Sequence, residues 1–392
     1  MKKGGCVVEN RTSSMALCAA AFFQMVGVGL IVSLLPSRVI QLSQSMDNVG
    51  YIASAFAIPF VLFQLPVGQL GDRYGHKIFL VAGYSISCLT GLLYFRAGSV
   101  LSILAGRILQ GVGEIPVWAL APALLSLLFP GTKGSAIGKY NASIHLGLTA
   151  GSILSVFVYT VWSGNEAFLL YATTGLIGAL IVVFFVKDPV GDIARSKSDS
   201  AGYGEVFQAL KRIRRPAVLA GVCLYGAGYG VFLTVIPGFL LSGKGFSQSE
   251  TGLFFALFYV AISLSQVIAG KISDRKGPNL PMCAGLLLVA AGVSPFMWFD
   301  GEAIFALLFL ASFGLGMFCI SAMVLLNEAV PASLKGSISG VFYVLWGLGF
   351  FLVPPAMTRL GGSFGYEAVF LAAGAVLLAE LFALRMSLPK TR

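Results

Sequence analysis

Charge is what this sequence has least of. Only 11% of its 392 residues are Asp, Glu, Lys or Arg, against about 25% in a soluble domain, and 57% are hydrophobic. A chain this apolar cannot clothe a globule in polar surface, so it reads as a membrane protein. Histidine is nearly absent, with His76 and His145 the 2 present. The 6 cysteines, Cys6, Cys18, Cys88, Cys223, Cys283 and Cys319, show no C-x-x-C spacing, and all but Cys6 lie in apolar runs. That leaves no zinc site and no disulfide framework. H-E-x-x-H, G-x-S-x-G and Walker-type runs are missing too, which excludes hydrolytic, metal-dependent and nucleotide-driven chemistry. The expectation is a protein that is not an enzyme and uses no metal and no cofactor.

A membrane-spanning helix needs about 20 mostly apolar residues, because the bilayer core offers no water to the backbone. Twelve such segments fit the chain, over residues 15–36, 48–70, 77–95, 100–128, 135–160, 166–186, 217–240, 249–270, 279–299, 302–327, 337–357 and 366–386. With a cytoplasmic N-terminus, Arg38, Arg96, Lys244 and Arg359 face the other side, Arg107 lies inside a span, and the rest of the 26 Lys and Arg collect in the cytoplasmic loops. That asymmetry orients the chain with both termini cytoplasmic. The net charge of +10 is then a topology signal and not the footprint of a nucleic-acid partner. Short loops and this orientation suggest a bacterial-type plasma (inner) membrane and a monomer in contact with lipid.

The longest loop divides the spans six and six, giving halves at 1–186 and 217–392 joined by a linker at 187–216. "KDPVGDIARSKSDSAGYG" has the turn formers and mixed charge of a linker. "EVFQALKRIRRP" sets Val206, Phe207, Leu210 and Ile213 opposite Lys211, Arg212, Arg214 and Arg215. That pattern suits a short helix lying on an anionic membrane surface.

The two halves repeat. One constant register aligns Gly50 with Gly252, Phe56 with Phe258, Gln64 with Gln266, Gly68 with Gly270, Asp72 with Asp274, Arg73 with Arg275 and Gly75 with Gly277. It also aligns Lys133, Gly134, Ser135 and Gly138 with Lys335, Gly336, Ser337 and Gly340. Parallel repeats about an axis along the membrane normal are a transporter architecture with a central site.

Three stretches carry a family resemblance. "GQLGDRYGHK", Gly68 to Lys77, resembles the G-x-L-x-D-R-x-G-R-K signature of the major facilitator superfamily, with His76 in an Arg position. "GKISDRKG", Gly270 to Gly277, is similar to its second-half copy, and "RILQGVGE", Arg107 to Glu114, resembles the R-x-x-Q-G-x-G motif of span four. In "GLTAGSILS", Gly147 and Gly151 match part of the glycine-rich span-five signature of the twelve-span drug and proton antiporters, and small residues four apart allow close helix packing. The resemblance implies an all-α membrane protein in the major facilitator fold, twelve transmembrane helices in two six-helix halves, working by alternating access. It also implies a cytoplasmic gate at Gly68, Asp72, Arg73, Gly75 and Lys77 and at Asp274, Arg275 and Gly277.

The repeat adds a specific expectation for that gate. Spans five and eleven both begin at a cytoplasmic K-G-S, and a helix start offers free N–H groups and partial positive charge to a carboxylate. Crossed docking would set Asp72 on Gly336 and Ser337, and Asp274 on Gly134 and Ser135.

Ionisable groups within spans are costly, so each is a functional candidate. Arg107 and Glu114 share span four seven residues apart, nearly on one face but about 10 Å apart along the axis, and Gln110 can bridge them. Glu114 near mid-membrane is a candidate for proton coupling or substrate binding, and so is His145 in span five. Glu380 in span twelve is expected to snorkel toward the surface beside Arg385. Pro59, Pro66, Pro116 and Pro122 remove helical hydrogen bonds in spans two and four, and such bends line cavities. Candidate cavity residues are Gln24, Trp118, Tyr225, Tyr229, Tyr259, Gln266, Tyr343 and Trp346, whose rings suit an amphipathic organic substrate or a cation.

Proton-coupled efflux of amphipathic organic compounds is the leading expectation. An importer of a small organic solute or anion, a lipid or glycolipid translocator, and a non-transporting membrane receptor or sensor are the alternatives.

Overall fold

The computed structural model describes residues 2–129, 133–161, 165–187, 216–329 and 335–387. The linker 187–216, with its expected surface helix, lies almost wholly outside them. Within them the chain is helical, and eleven helices are long and apolar enough to cross a membrane. Span two is the exception. Its helix runs Tyr51–Tyr74, and the side chains described without a break, Tyr51–Gln64, form a shorter apolar helix.

Local chemistry sets several ends. Span four, Val100–Leu128, starts at the Ser99 N-cap, where Ser99 and Ser102 form a reciprocal capping box. Span three, His76–Arg96, follows span two through Gly75 at φ 98°. In the second copy of the motif Gly277, at φ 81°, ends the span-eight helix Gln248–Lys276. Each glycine closes its helix with an N–H bond to the carbonyl four residues back, Gly75 to Gly71 and Gly277 to Ser273, both at 2.9 Å. This left-handed cap is what only glycine adopts readily. Lys77, just beyond, donates at 2.8 Å to the Val183 carbonyl in the last turn of span six, Ala167–Phe185, where a cation suits the free carbonyls and the helix dipole.

Several spans depart from their expected limits, three of them at a proline. Span one continues through Pro36 to Ser43 as one helix, Lys2–Ser43. Ser33 and Ser37 bond back to the Leu30 and Leu34 carbonyls in those turns. Span eleven, Lys335–Phe364, likewise runs through Pro354 and Pro355. Span seven breaks into Pro216–Leu233 and Val235–Ser242. Pro237 cannot donate to the Leu233 carbonyl, and Thr234 caps the first piece by bonding the Gly230 carbonyl at 2.7 Å.

The chain forms two compact units. The first comprises Met1–Ser43, Ala55–Ser200 and Gln248–Leu253, the second Gln44–Ser54, Ala201–Ser247 and Phe254–Arg392. Two short segments therefore differ from the division expected at 1–186 and 217–392. The start of span two belongs with the second unit because Gly50 lies against Pro354 and Pro355, Ser54 donates to the Phe351 carbonyl and Thr358 to that of Asp47. The start of span eight belongs with the first because Gly252 lies against Ser155 and Val156.

Within each unit, missing side chains let helices touch backbone to backbone. In the first, a Cβ on Gly83 of span three would sit 2.5 Å from the Gly113 carbonyl oxygen of span four, and one on Gly113 2.9 Å from that of Gly83. The second repeats the device between span nine, Asn279–Val293, and span ten, Glu302–Glu328, at Gly285 and Gly314, with 2.7 and 2.5 Å. Gly147 and Gly151 of span five, Lys133–Val161, face the Phe22 and Val26 carbonyls of span one. Gly349 of span eleven meets Cys223 of span seven in the same way. The internal repeat is thus a repeat of contacts as well as of motifs.

These contacts predict opposite outcomes for two glycines. Gly151→Leu drives a side chain into the Val26 carbonyl and should cost about 1–3 kcal/mol, read as a lowered midpoint of thermal unfolding in detergent. Gly68→Ala, with nothing within 4 Å of the added methyl, should leave that midpoint unchanged.

Candidate functional site

The densest polar cluster lies in the first unit, on one stripe of span four. Arg107, Gln110, Glu114 and Trp118 follow at steps of three and four residues and so share a helix face. Arg107 and Glu114 are each 2% exposed and Gln110 is fully buried. Arg107 Nη1 donates to Gln110 Oε1 at 3.0 Å, and Gln110 Nε2 donates to Glu114 Oε1 at 2.8 Å. Trp118 Nε1 donates to Glu114 Oε2 at 3.3 Å. The amide is therefore oriented, oxygen toward the cation and nitrogen toward the carboxylate.

Neighbouring spans complete the site through the glycines of the same motif. Tyr94 of span three rests its ring on Gly106, where no Cβ obstructs it, and gives its hydroxyl proton to Gln110 Oε1 at 2.9 Å. Gly111 admits Pro59 and the Phe56 backbone of span two, and the Phe56 ring lies 4.5 Å from the Arg107 guanidinium carbon. That is cation–π geometry, which stabilises a cation out of reach of water. Gly113 admits span three, as described above. In "RILQGVGE", then, Gly111 and Gly113 bring in the helices that bury the two charges. Tyr171 of span six lies beside Tyr94, ring centres 6.5 Å apart and planes tilted, and accepts a hydrogen bond from Gln24 Nε2 at 3.3 Å.

Tyr94, Tyr171 and Phe56 carry no motif of their own as site residues. The three-residue steps of span four point only to their own face, and the partners come from tertiary packing. Gln24, expected to line a cavity, is instead fully buried, with Oε1 lacking a hydrogen-bond partner. Span one packs on spans five and six there and leaves it no open face. His145 stands apart on span five, half-buried, its Nδ1 without a hydrogen-bond partner.

Apart from Trp118, the aromatic candidates lie in the second unit. Tyr225 and Tyr229 of span seven meet at 6.0 Å, and Tyr229 reaches Trp346 of span eleven at 5.9 Å and Phe258 of span eight at 5.3 Å. Tyr225 also meets Phe342 at 6.1 Å, beside Tyr343. Tyr343 is 39% exposed, while Tyr229 and Trp346 are half-buried, so these rings offer a surface. Tyr259 does not: it packs on Phe258 and is buried. Gln266, lower on span eight, is half-exposed.

For the gate, both K-G-S runs do open helices, at Lys133 and at Lys335. The side chains of Asp72, Arg73 and Asp274, and those of Ser135 and Ser337 with Gly134 and Gly336 beside them, lie outside the described residues, and with them the crossed pairing. Arg275 is exposed at the end of its helix. Among the described residues no group of His, Cys, Asp and Glu could hold a metal ion.

Comparison with known proteins gives the same family that the motifs resemble. The family description Major Facilitator Superfamily matches residues 17–354 and 218–392. A D-galactonate transporter of Escherichia coli is 26% identical, covering 84% of this chain and 84% of its own. The multi-drug resistance efflux pump PmrA of Streptococcus pneumoniae is also 26% identical, covering 90% of each. The crystal structure of the nucleoside transporter NupG superposes with a TM-score of 0.79 at 14% identity, over 97% of this chain and 99% of that one. The chain is a multi-pass membrane transporter and belongs to the major facilitator superfamily.

Proposed function

We propose that this protein is a proton-coupled exporter of amphipathic organic compounds, with Glu114 as its proton carrier. The observation that carries the reading is the buried Arg107–Gln110–Glu114 chain. While Glu114 is ionised, the two charges balance through Gln110. Once Glu114 takes a proton, the buried stripe loses its negative charge and keeps its positive one, at a cost of several kcal/mol. That is as large as the gaps that separate conformers of one protein. Protonation therefore cannot be local: the helices around the stripe rearrange or an anion arrives, which is the link alternating access needs. His145 is a second titratable candidate in the same unit.

The substrate class is drawn from the second unit. Tyr229, Tyr343 and Trp346, backed by the buried Tyr225, present ring faces with no cation among them, which suits a flat, amphipathic or cationic molecule. Likeness to the efflux pump PmrA supports the same class and direction. The working form proposed is a monomer in a bacterial-type inner membrane, with twelve crossings counting the span-two helix, both termini cytoplasmic, and halves at 1–186 and 217–392.

A second reading rests on Arg107 and on the sugar-acid relatives. When Glu114 is protonated, a substrate carboxylate could take its place as the counter-anion, giving import of an organic anion together with a proton.

Proteoliposomes carrying a pH gradient separate the two. Ethidium should move against its own gradient as the pH gradient collapses, and Glu114→Gln should abolish this uphill movement while exchange without a gradient continues. Movement of galactonate with protons, and none of ethidium, would replace export by the second reading. Unaltered uphill transport in Glu114→Gln would remove Glu114 from the mechanism. Trp346→Ala should weaken ethidium binding by roughly 1 kcal/mol, about fivefold in Kd, measured by fluorescence titration.

A further inference from the structure

One buried acid plays no part in the network on span four. Glu380 does not snorkel beside Arg385. It lies on the buried stripe of span twelve, Tyr366–Ser387, with Val369, Phe370, Gly374 and Leu384, and is 9% exposed. Arg385, five residues on, is turned about 140° around the helix, is exposed, and faces Cys283 of span nine. The surface is therefore not where the carboxyl points.

Its surroundings are apolar. A Cβ on Gly221 of span seven would come within 3.1 Å of Glu380 Oε1 and 2.7 Å of the Phe318 ring of span ten, so the missing side chain makes the space the carboxyl fills. Oε1 is buried and has no hydrogen-bond partner. The titratable and charged groups described on the helices packed around it are Cys223, Tyr225 and Tyr229 on span seven, Cys283 on span nine, Glu302, Cys319 and Glu328 on span ten and Tyr343 and Arg359 on span eleven. Tyr225 and Cys319 face each other, and Cys283 faces Arg385. Among the described residues the cation on these helices, Arg359, lies at the end of span eleven from which span twelve starts, and the carboxyl has the Gly221 backbone N–H as a donor. A carboxylate here would lose its hydration and gain neither a full set of donors nor a counter-charge, whereas a neutral acid loses far less.

We propose that Glu380 is a second proton-binding site of this protein, occupied in this state and separate from Glu114. The site lies within the second unit, so each unit would carry one buried acid, on different helices and in different surroundings. This goes beyond the export reading and does not depend on it, because the test reads the carboxyl itself and not transport.

Infrared difference spectra of the reconstituted protein at neutral pH, wild type against Glu380→Gln, decide it. The expected result is loss of one protonated-acid carbonyl band in the variant. Loss of a carboxylate band, with the acid region unchanged, would overturn the proposal. Should the glutamine variant fail to fold, Glu380→Asp keeps the acid and should shift the same carbonyl band. An unshifted band would overturn the proposal equally.

Discussion

A guanidinium that cannot reach water has to be balanced where it stands, and much of the first unit follows from that requirement at Arg107. A hydrogen bond to Gln110 and a ring face from Phe56 hold it, and the negative charge is two steps away on Glu114. Gln110 and Glu114 come from span four itself, but the Phe56 ring and the Tyr94 hydroxyl could not be in place if the helices stood at ordinary separation. Gly106 seats Tyr94, Gly111 admits span two and Gly113 admits span three. Electrostatics and packing are one problem in this unit: the absent side chains set the distances, and the distances keep the charges satisfied.

The second unit has the same framework without the charges. The glycine contact between spans three and four reappears between spans nine and ten, and that between spans five and one reappears between eleven and seven. What fills the framework differs. An ionic chain occupies the first unit, and rings packed edge to face with a buried acid beside them occupy the second. A duplicated scaffold has diverged by division of labour between polar and aromatic interiors.

Much of this was legible in the sequence, for definite reasons. Span four was placed at its observed limits, 100–128, by its apolar run alone, and the structure adds the Ser99 cap that opens it. Gln110 was legible as a bridge because helical spacing alone puts it between Arg107 and Glu114. Gly75 and Gly277 were visible as aligned residues, and the structure supplies the cause, a left-handed cap in each copy. Other features depend on which face of a helix meets which neighbour, and hydropathy is blind to that. Glu380 was misplaced because a long acid near a helix end can snorkel, and only the position of Gly221 shows that it turns inward. Span one was read as ending at Pro36, although serines bonded to nearby carbonyls in the same turns accompany an unbroken helix. Tyr94 and Tyr171 went unnoticed because a tyrosine in an apolar run has no pattern that marks its hydroxyl as engaged.

Trp118 has a consequence of another kind. Its indole N–H points at Glu114 Oε2, and it is one of only 4 tryptophans in the chain. An indole's absorption and emission respond to the electric field along its ring. A negative charge appearing or vanishing a hydrogen bond away changes that field directly. The side chain that steadies the carboxylate is therefore also an intrinsic optical probe of its ionisation, built into the protein without any label.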